Sequence, residues 1–178
     1  GFVAKDAPQP SFTLQNGDIG GSYIVGDNTN VYDNESTFMI RSRASDTKYL
    51  GVNEGGSALV IKDFTSDMEI LNYSKLDLYL WTFDSDGRIT NVSSGKQLDM
   101  NSSTVSLVNN GSGREFTIST SGTGLTFSYT RNYSRYYLKI NSSSNGVLGA
   151  TGTSGNTHLW YLRKVTVVPV TTQYKKFS

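Results

Sequence analysis

At 178 residues with a formal net charge of +1, the chain is sized for one domain, and its 18 glycines and many Ser, Thr and Asn cut it into short extended segments. The absence of cysteine excludes disulfides, thiolate nucleophiles and thiolate metal sites, and the single histidine, His158, leaves at most one Ser-His pair. No apolar run approaches the roughly twenty residues of a membrane span, so membrane insertion is not expected.

In chain order, residues 1–20 carry Pro8 and Pro10 and read as an arm or linker. Residues 22–25 and 30–32 flank Gly26-Asp27-Asn28-Thr29, a spacing that predicts a hairpin. Strands are predicted over 38–42, 48–52 and, as a buried strand, 58–61. An insertion over 62–75 follows and overlaps the best helical candidate, residues 66–79. Asp86-Gly87 predicts a tight turn after the strand at 80–83, because glycine enters the left-handed region at no steric cost. Asp84 and Asp86 also open like a calcium loop. Arg88 and Gly95 then stand where that loop needs oxygen ligands, so no metal is expected. Further strands are predicted over 88–91, 96–100, 104–108, 115–118, 125–128, 136–140, 146–150 and 159–162. Residues 166–178 read as a tail or a link to a following domain, and Pro169 argues against a central strand there.

One unit recurs three times across these segments. The leucine of its second strand is Leu50, Leu98 and Leu138, and its closing aromatic is Trp81, Phe116 and Trp160. A unit of roughly forty residues with about four short strands cannot bury its apolar face alone. Three copies around an axis can, as a closed barrel capped by three hairpins, which is a β-trefoil. The expected fold is therefore all-β, with a β-trefoil over residues 21–165. The alternative for the same short strands is a β-sandwich, in which the three leucines would not share one core.

Ser94-Gly95-Lys96-Gln97-Leu98-Asp99-Met100 and His158-Leu159-Trp160-Tyr161-Leu162 resemble the ricin-type β-trefoil lectins, and the resemblance extends over residues 38–165. It implies a Leu-Asp strand and a Gln-x-Trp closing strand in each repeat, with the Asp binding sugar. Tyr79, Arg114 and His158 stand where the family has Gln, and Gly51 and Lys139 replace the Asp in the first and third repeats. Asp99 is left as the one site of the family's usual kind. A carboxylate there accepts bonds from two adjacent hydroxyls, an amide from Asn109 or Asn110 supplies complementary ones, and an aromatic face packs on the sugar.

A second candidate is a basic and aromatic patch of Arg131, Tyr133 and Arg135, flanked by Tyr129, Tyr136 and Tyr137. Such a patch stacks on planar or sugar rings and pairs with phosphate or sulfate. It lies in the basic half of the chain. Residues 1–99 hold 14 acidic and 8 basic residues, −6, whereas residues 100–178 hold Glu115 alone against 8 basic residues, +7. Folding interleaves the two halves, and no RNA- or DNA-binding motif accompanies the charge, so a nucleic-acid partner is not expected.

No Gly-x-Ser-x-Gly elbow occurs, and His158 sits in a closing strand at a position that supports the core, so neither catalysis nor a cofactor is expected. The expected function is a non-catalytic binding or adhesion module with carbohydrate, such as a cell-surface glycan, as its ligand. The alternative is a structural or protein-interaction domain, and an inhibitor acting through a protruding loop at 62–75 is a third class. Seven Asn-x-Ser sequons, beginning at Asn34, follow from the Asn- and Ser-rich composition. Without cysteines, an extracellular or cell-surface bacterial protein is expected, its export signal or anchor lying outside the given residues.

Overall fold

The computed structural model describes residues 21–141 and 143–169, so the predicted arm and residues 170–178 of the predicted tail lie outside the described residues. A strand, β1 (Gly21–Thr29), precedes three four-stranded repeats. The first is β2 (Thr37–Ser42), β3 (Lys48–Val52), β4 (Leu59–Asp63) and β5 (Trp81–Phe83). The second is β6 (Ile89–Asn91), β7 (Gln97–Asn101), β8 (Thr104–Val108) and β9 (Thr117–Ser121). The third is β10 (Gly124–Arg131), β11 (Ser134–Asn141), β12 (Gly146–Ala150) and β13 (Trp160–Pro169).

The first and last strands of each repeat run around a barrel. Pairing proceeds β10-β13-β2-β5-β6, and β9 lies antiparallel on β10. The ring closes between β6 and β9, where the Phe116 N–H donates to the Gly87 carbonyl at 3.0 Å. Gly87 sits at φ +87° in the predicted Asp-Gly turn, and a Cβ there would overlap the Phe116 carbonyl. Glycine is thus required at this point for both conformation and space. The middle strands of each repeat pair as the hairpins β3–β4, β7–β8 and β11–β12. This is a β-trefoil.

Leu50, Leu98 and Leu138 are fully buried in one cluster with Trp81, Phe116 and Trp160, as the threefold pattern requires and a sandwich would not allow. Each leucine also turns its backbone carbonyl to the closing segment of its repeat. The Trp81 indole N–H donates to Leu50 O and the Trp160 indole N–H to Leu138 O, both at 2.9 Å. Phe116 has no such donor, and the Arg114 backbone N–H takes its place on Leu98 O at 3.0 Å. All three buried acceptors are thereby satisfied, two by an indole N–H and one by a backbone N–H.

A second core lies outside the barrel. Side chains alternate along β2, so Phe38 and Ile40 enter the barrel while Met39 points the other way. The insertion covers Met39 with α1 (Asp67–Leu71) and a 3-10 turn (Leu76–Tyr79), burying Phe64, Ile70, Leu76, Leu78 and Tyr79 beside it. The helical expectation for 66–79 is met in two short pieces, the first capped by the Ser66 hydroxyl accepting from Glu69 N–H at 3.1 Å. The insertion is therefore a packed flank, which leaves the inhibitor alternative without its candidate protruding loop.

The hairpin predicted at Gly26-Asp27-Asn28-Thr29 is also corrected. β1 runs through these residues as one strand on β13, with a bulge between Val25 and Asn28. Arg163 fixes the bulge by donating to Gly26 O at 2.8 Å, and its guanidinium forks onto Asp67 at 2.8 and 3.0 Å. Desolvation pulls this guanidinium's pKa down, and the bonds to Asp67 and Tyr49 more than offset it, leaving it above its ordinary value. In β4 only Ile61 is buried among Leu59, Val60 and Ile61, so the predicted buried strand is half-buried. β13 continues past residue 165 to Pro169, paired with β1 to its end.

Replacing Trp81 or Trp160 by Phe removes the donor to a buried carbonyl and some ring volume. Each variant is expected to lose about 2–4 kcal/mol in urea unfolding, from the unsatisfied acceptor and the cavity together.

Candidate functional site

The repeats differ most where the second strand faces the closing segment. The paired positions are Gly51 with Tyr79, Asp99 with Arg114, and Lys139 with His158. In the first repeat a Cβ on Gly51 would overlap the Tyr79 ring. Tyr79 is buried among Phe64 and Tyr73, at ring separations of 5.4 and 5.8 Å, and desolvation pushes its phenol up to about 12. This position is filled.

In the third repeat His158 is 7 % exposed and stands edge-on to Tyr137, with ring centroids 5.9 Å apart. Desolvation, with the Lys139 charge second, lowers its pKa. The chain's one histidine is thus a packed neutral group.

In the second repeat the corresponding position opens. An irregular cleft of about 620 Å³ lies beside β7, lined by Asp99, Arg88, Arg114, Glu115, Ser112, Thr117, Tyr129 and Thr130. Asp99 projects from β7 opposite Ser106 of β8, with its side chain 26 % exposed. Its carboxylate accepts no hydrogen bond from the described residues, and its partner cation is Arg114, whose Nε is 3.6 Å from Oδ1. That distance is an ion pair without a hydrogen bond.

Arg114 is held from three sides. Its backbone caps Leu98, its Nε–H donates to Met100 O at 3.1 Å, and its guanidinium lies 4.1 Å over the Tyr129 ring. The Tyr129 hydroxyl in turn accepts from Ser102 N–H at 2.7 Å, and Tyr136 stacks on Tyr129 at 5.9 Å. The aromatic of this cleft is therefore covered by an arginine. Arg88 is fully engaged, donating to Asp86, Glu115 and Gly113 O at 3.0–3.2 Å.

The predicted amide partners are placed elsewhere. Asn109 and Asn110 are exposed in the loop after β8 and do not line the cleft. Buried Gln97 sets that loop, its Oε1 accepting from Gly111 and Gly113 N–H at 2.9 and 3.0 Å. Ser112 and Thr130 stand in the cleft in place of the amides.

The predicted basic patch is divided by its own hairpin. Asn132 and Tyr133, at φ +50° and +67°, form the two-residue turn joining β10 to β11, with Tyr133 fully exposed at the tip. Arg131 pairs with Ser134 and Arg135 with Thr130, so the two arginines leave opposite faces of the ribbon. Arg131 reaches Asn101 and Ser102, at 3.2 and 2.6 Å, while Arg135 donates to Ser128 at 2.8 Å. Asp84 serves its turn by accepting from Asp86 and Arg88 N–H, and no carboxylate or imidazole cluster able to hold a metal occurs among the described residues.

No protein-family model and no curated protein matches the sequence. Solved structures do match in fold. The chain superposes on the Polyporus squamosus lectin, bound to a Neu5Acα2-6Galβ1-4GlcNAc epitope, with a TM-score of 0.59 at 15 % identity, covering 75 % of this chain and 50 % of that one. The β-trefoil lectin of the Vibrio vulnificus hemolysin/cytolysin, with N-acetyl-D-lactosamine bound, gives 0.56 at 19 % identity over 75 % and 97 %. A GlcNAcα1-4Gal-releasing endo-β-galactosidase from Clostridium perfringens gives 0.56 at 14 % identity over 76 % and 33 %. The chain has the fold of the ricin-type β-trefoil lectins. It spans half the length of the Polyporus lectin and a third of the Clostridium enzyme.

Two outcomes follow from the unequal repeats. Gly51→Ala forces its methyl into the Tyr79 ring and is expected to cost about 1–3 kcal/mol of stability, read as a lower urea midpoint. His158 has a folded pKa below its ordinary 6.5, so the unfolded chain takes up the proton first. The stability it contributes is present above pH 6.5 and is lost as pH falls through the folded value, at up to about 1.4 kcal/mol per pH unit. Melting temperatures from pH 7.5 to 5 should fall in the wild type and fall less in His158→Gln.

Proposed function

We propose that this domain is a non-catalytic carbohydrate-binding module and that the cleft of the second repeat is its sugar site. The observation that carries the reading is Asp99, a partly exposed carboxylate in a polar cleft with its acceptor capacity unspent on the described residues. Sugar hydroxyls supply the donors such a group lacks, and Ser112 and Thr130 line the same cleft. Lectins of the same fold that carry bound glycans support the ligand class. The non-catalytic reading rests on the side chains themselves: the one histidine is packed against Tyr137, and Glu115, the other carboxylate of the cleft, is held by Arg88 at 3.0 Å.

Adhesion as part of an extracellular or cell-surface bacterial protein belongs to the same proposal, on the composition of the chain. A protein-docking role has less support. The exposed apolar residues are scattered: Val31 and Val92 in separate loops, Met68 on the insertion helix, Tyr133 at a hairpin tip, and Ile24 and Val167 on opposite faces of the β1–β13 ribbon.

A glycan array probed with the purified chain tests the reading. Saturable binding is expected in the wild type and in Asn109→Ala and Asn110→Ala. In Asp99→Ala it should weaken by about 10- to 100-fold, the range for losing hydrogen bonds to a charged acceptor. Unchanged binding by Asp99→Ala would remove the site from this cleft, and no binding to any glycan would leave the structural or protein-docking role.

A further inference from the structure

Arg114 occupies the place where the ricin-type resemblance has Gln, and its side chain differs from a glutamine's in what it leaves unspent. Its Nε is committed to Met100 O at 3.1 Å and lies beside Asp99 at 3.6 Å. Its terminal amino groups, Nη1 and Nη2, donate to no acceptor among the described residues, although the side chain is 34 % exposed and lines the cleft. The guanidinium is also fixed in plane by the stack on Tyr129 at 4.1 Å, itself anchored by Ser102 N–H and backed by Tyr136. A planar fork held rigid with two free donors fits a two-oxygen anion and loses little freedom on binding it.

The charges around the fork permit this. The cleft holds Arg88, Arg114, Asp99 and Glu115, which balance to zero. Glu115 is neutralised by Arg88 at 3.0 Å, so the repulsion an anion would meet from it is reduced. Asp99 repels an anion directly but attracts hydroxyl donors, and the guanidinium nitrogen nearest to it is Nε, at 3.6 Å. A ligand with an acidic group next to a hydroxyl-bearing ring satisfies both.

We propose, resting on the sugar-site reading above, that the cleft prefers glycans bearing a carboxylate or a sulfate ester, held by Nη1 and Nη2 of Arg114 while Asp99 accepts from ring hydroxyls. Arg114 is a specificity residue in this arrangement. Its role in the fold is carried by its backbone N–H on Leu98 O, which a side-chain substitution leaves in place.

The test is calorimetric titration with lactose, sialyllactose and 3′-sulfated lactose, at 50 and 150 mM salt, on the wild type, Arg114→Gln, Arg114→Lys and Asp99→Asn, each checked for an unchanged circular dichroism spectrum. One or both acidic ligands are expected to bind at least about tenfold tighter than lactose, and more weakly at the higher salt. Arg114→Gln should bring the affinities for the acidic ligands down to that for lactose, the readout being the ratio of the two. Arg114→Lys should retain only part of it, because the charge remains without the fork. Preference for the carboxylate alone or the sulfate alone identifies which source supplies the anion. Equal affinity for all three ligands, or an acidic preference that survives Arg114→Gln, overturns the proposal but leaves the sugar site intact. Loss of every ligand's binding in the wild type, or full binding in Asp99→Asn, overturns the sugar-site reading as well.

Discussion

Three buried leucine carbonyls set the terms for the whole barrel. Each points from a middle strand to the closing segment of its repeat, where water does not reach, and an unmatched carbonyl there costs about 1–3 kcal/mol. Trp81 and Trp160 meet the demand with an indole N–H and fill the core with the same ring. The second repeat meets it from the backbone of Arg114. That substitution releases the closing aromatic from having to donate, and Phe116 suffices. It also draws the chain in close at Gly113, where a Cβ would crowd Gln97 and Leu98 O.

The local consequence is a loop with a different shape. Gln97 is buried, and its single side-chain oxygen gathers two backbone donors from the loop while its Nε2 donates to Thr90 at 3.1 Å. With the loop tied down on that side, the side chain of Arg114 is directed along Met100 and over Tyr129. The cleft is what remains between this arginine, Asp99 and the loop. Its existence follows from how one carbonyl is satisfied, that of Leu98, the residue before Asp99 on β7.

Much of the fold was legible in the sequence because the threefold pattern reports on shared space. Leu50, Leu98, Leu138 and the aromatics 81, 116 and 160 recur because they meet in one core, and that core is present. The parts that were not legible depend on partners remote in sequence. Gly26 reads as a turn until Arg163 and β13 are placed beside it, 137 residues away, and then it is a bulge. The insertion reads as a loop until Met39 is seen to need cover on the outer face of β2. At the site, Asp99 was found from its strand motif. Asn109 and Asn110 suggest themselves by nearness in sequence, whereas buried Gln97 ties down the loop that follows them and Ser112 of that loop lines the cleft. A signal for Arg114 was present, a charge at a position that otherwise supports the core. Nothing in the sequence marked Arg88 as its neighbour.

The pair of positions facing each other outside the core explains why the repeats can diverge there. A change at Leu98 or Trp160 would open a void in packing shared by all three repeats. A change at the Gly51–Tyr79, Asp99–Arg114 or Lys139–His158 pair is felt mainly within its own repeat. One pair became an extension of the second core, with Tyr79 filling the space over Gly51. Another became a packed histidine beside a lysine, its pKa lowered by burial first and by the lysine charge second. The remaining pair holds opposite charges too far apart to hydrogen-bond each other, at 3.6 Å. Opposite charges left in that state retain unspent donors and acceptors, and so a scaffold with three equivalent places can open a polar cleft at one of them without weakening the core that supports it.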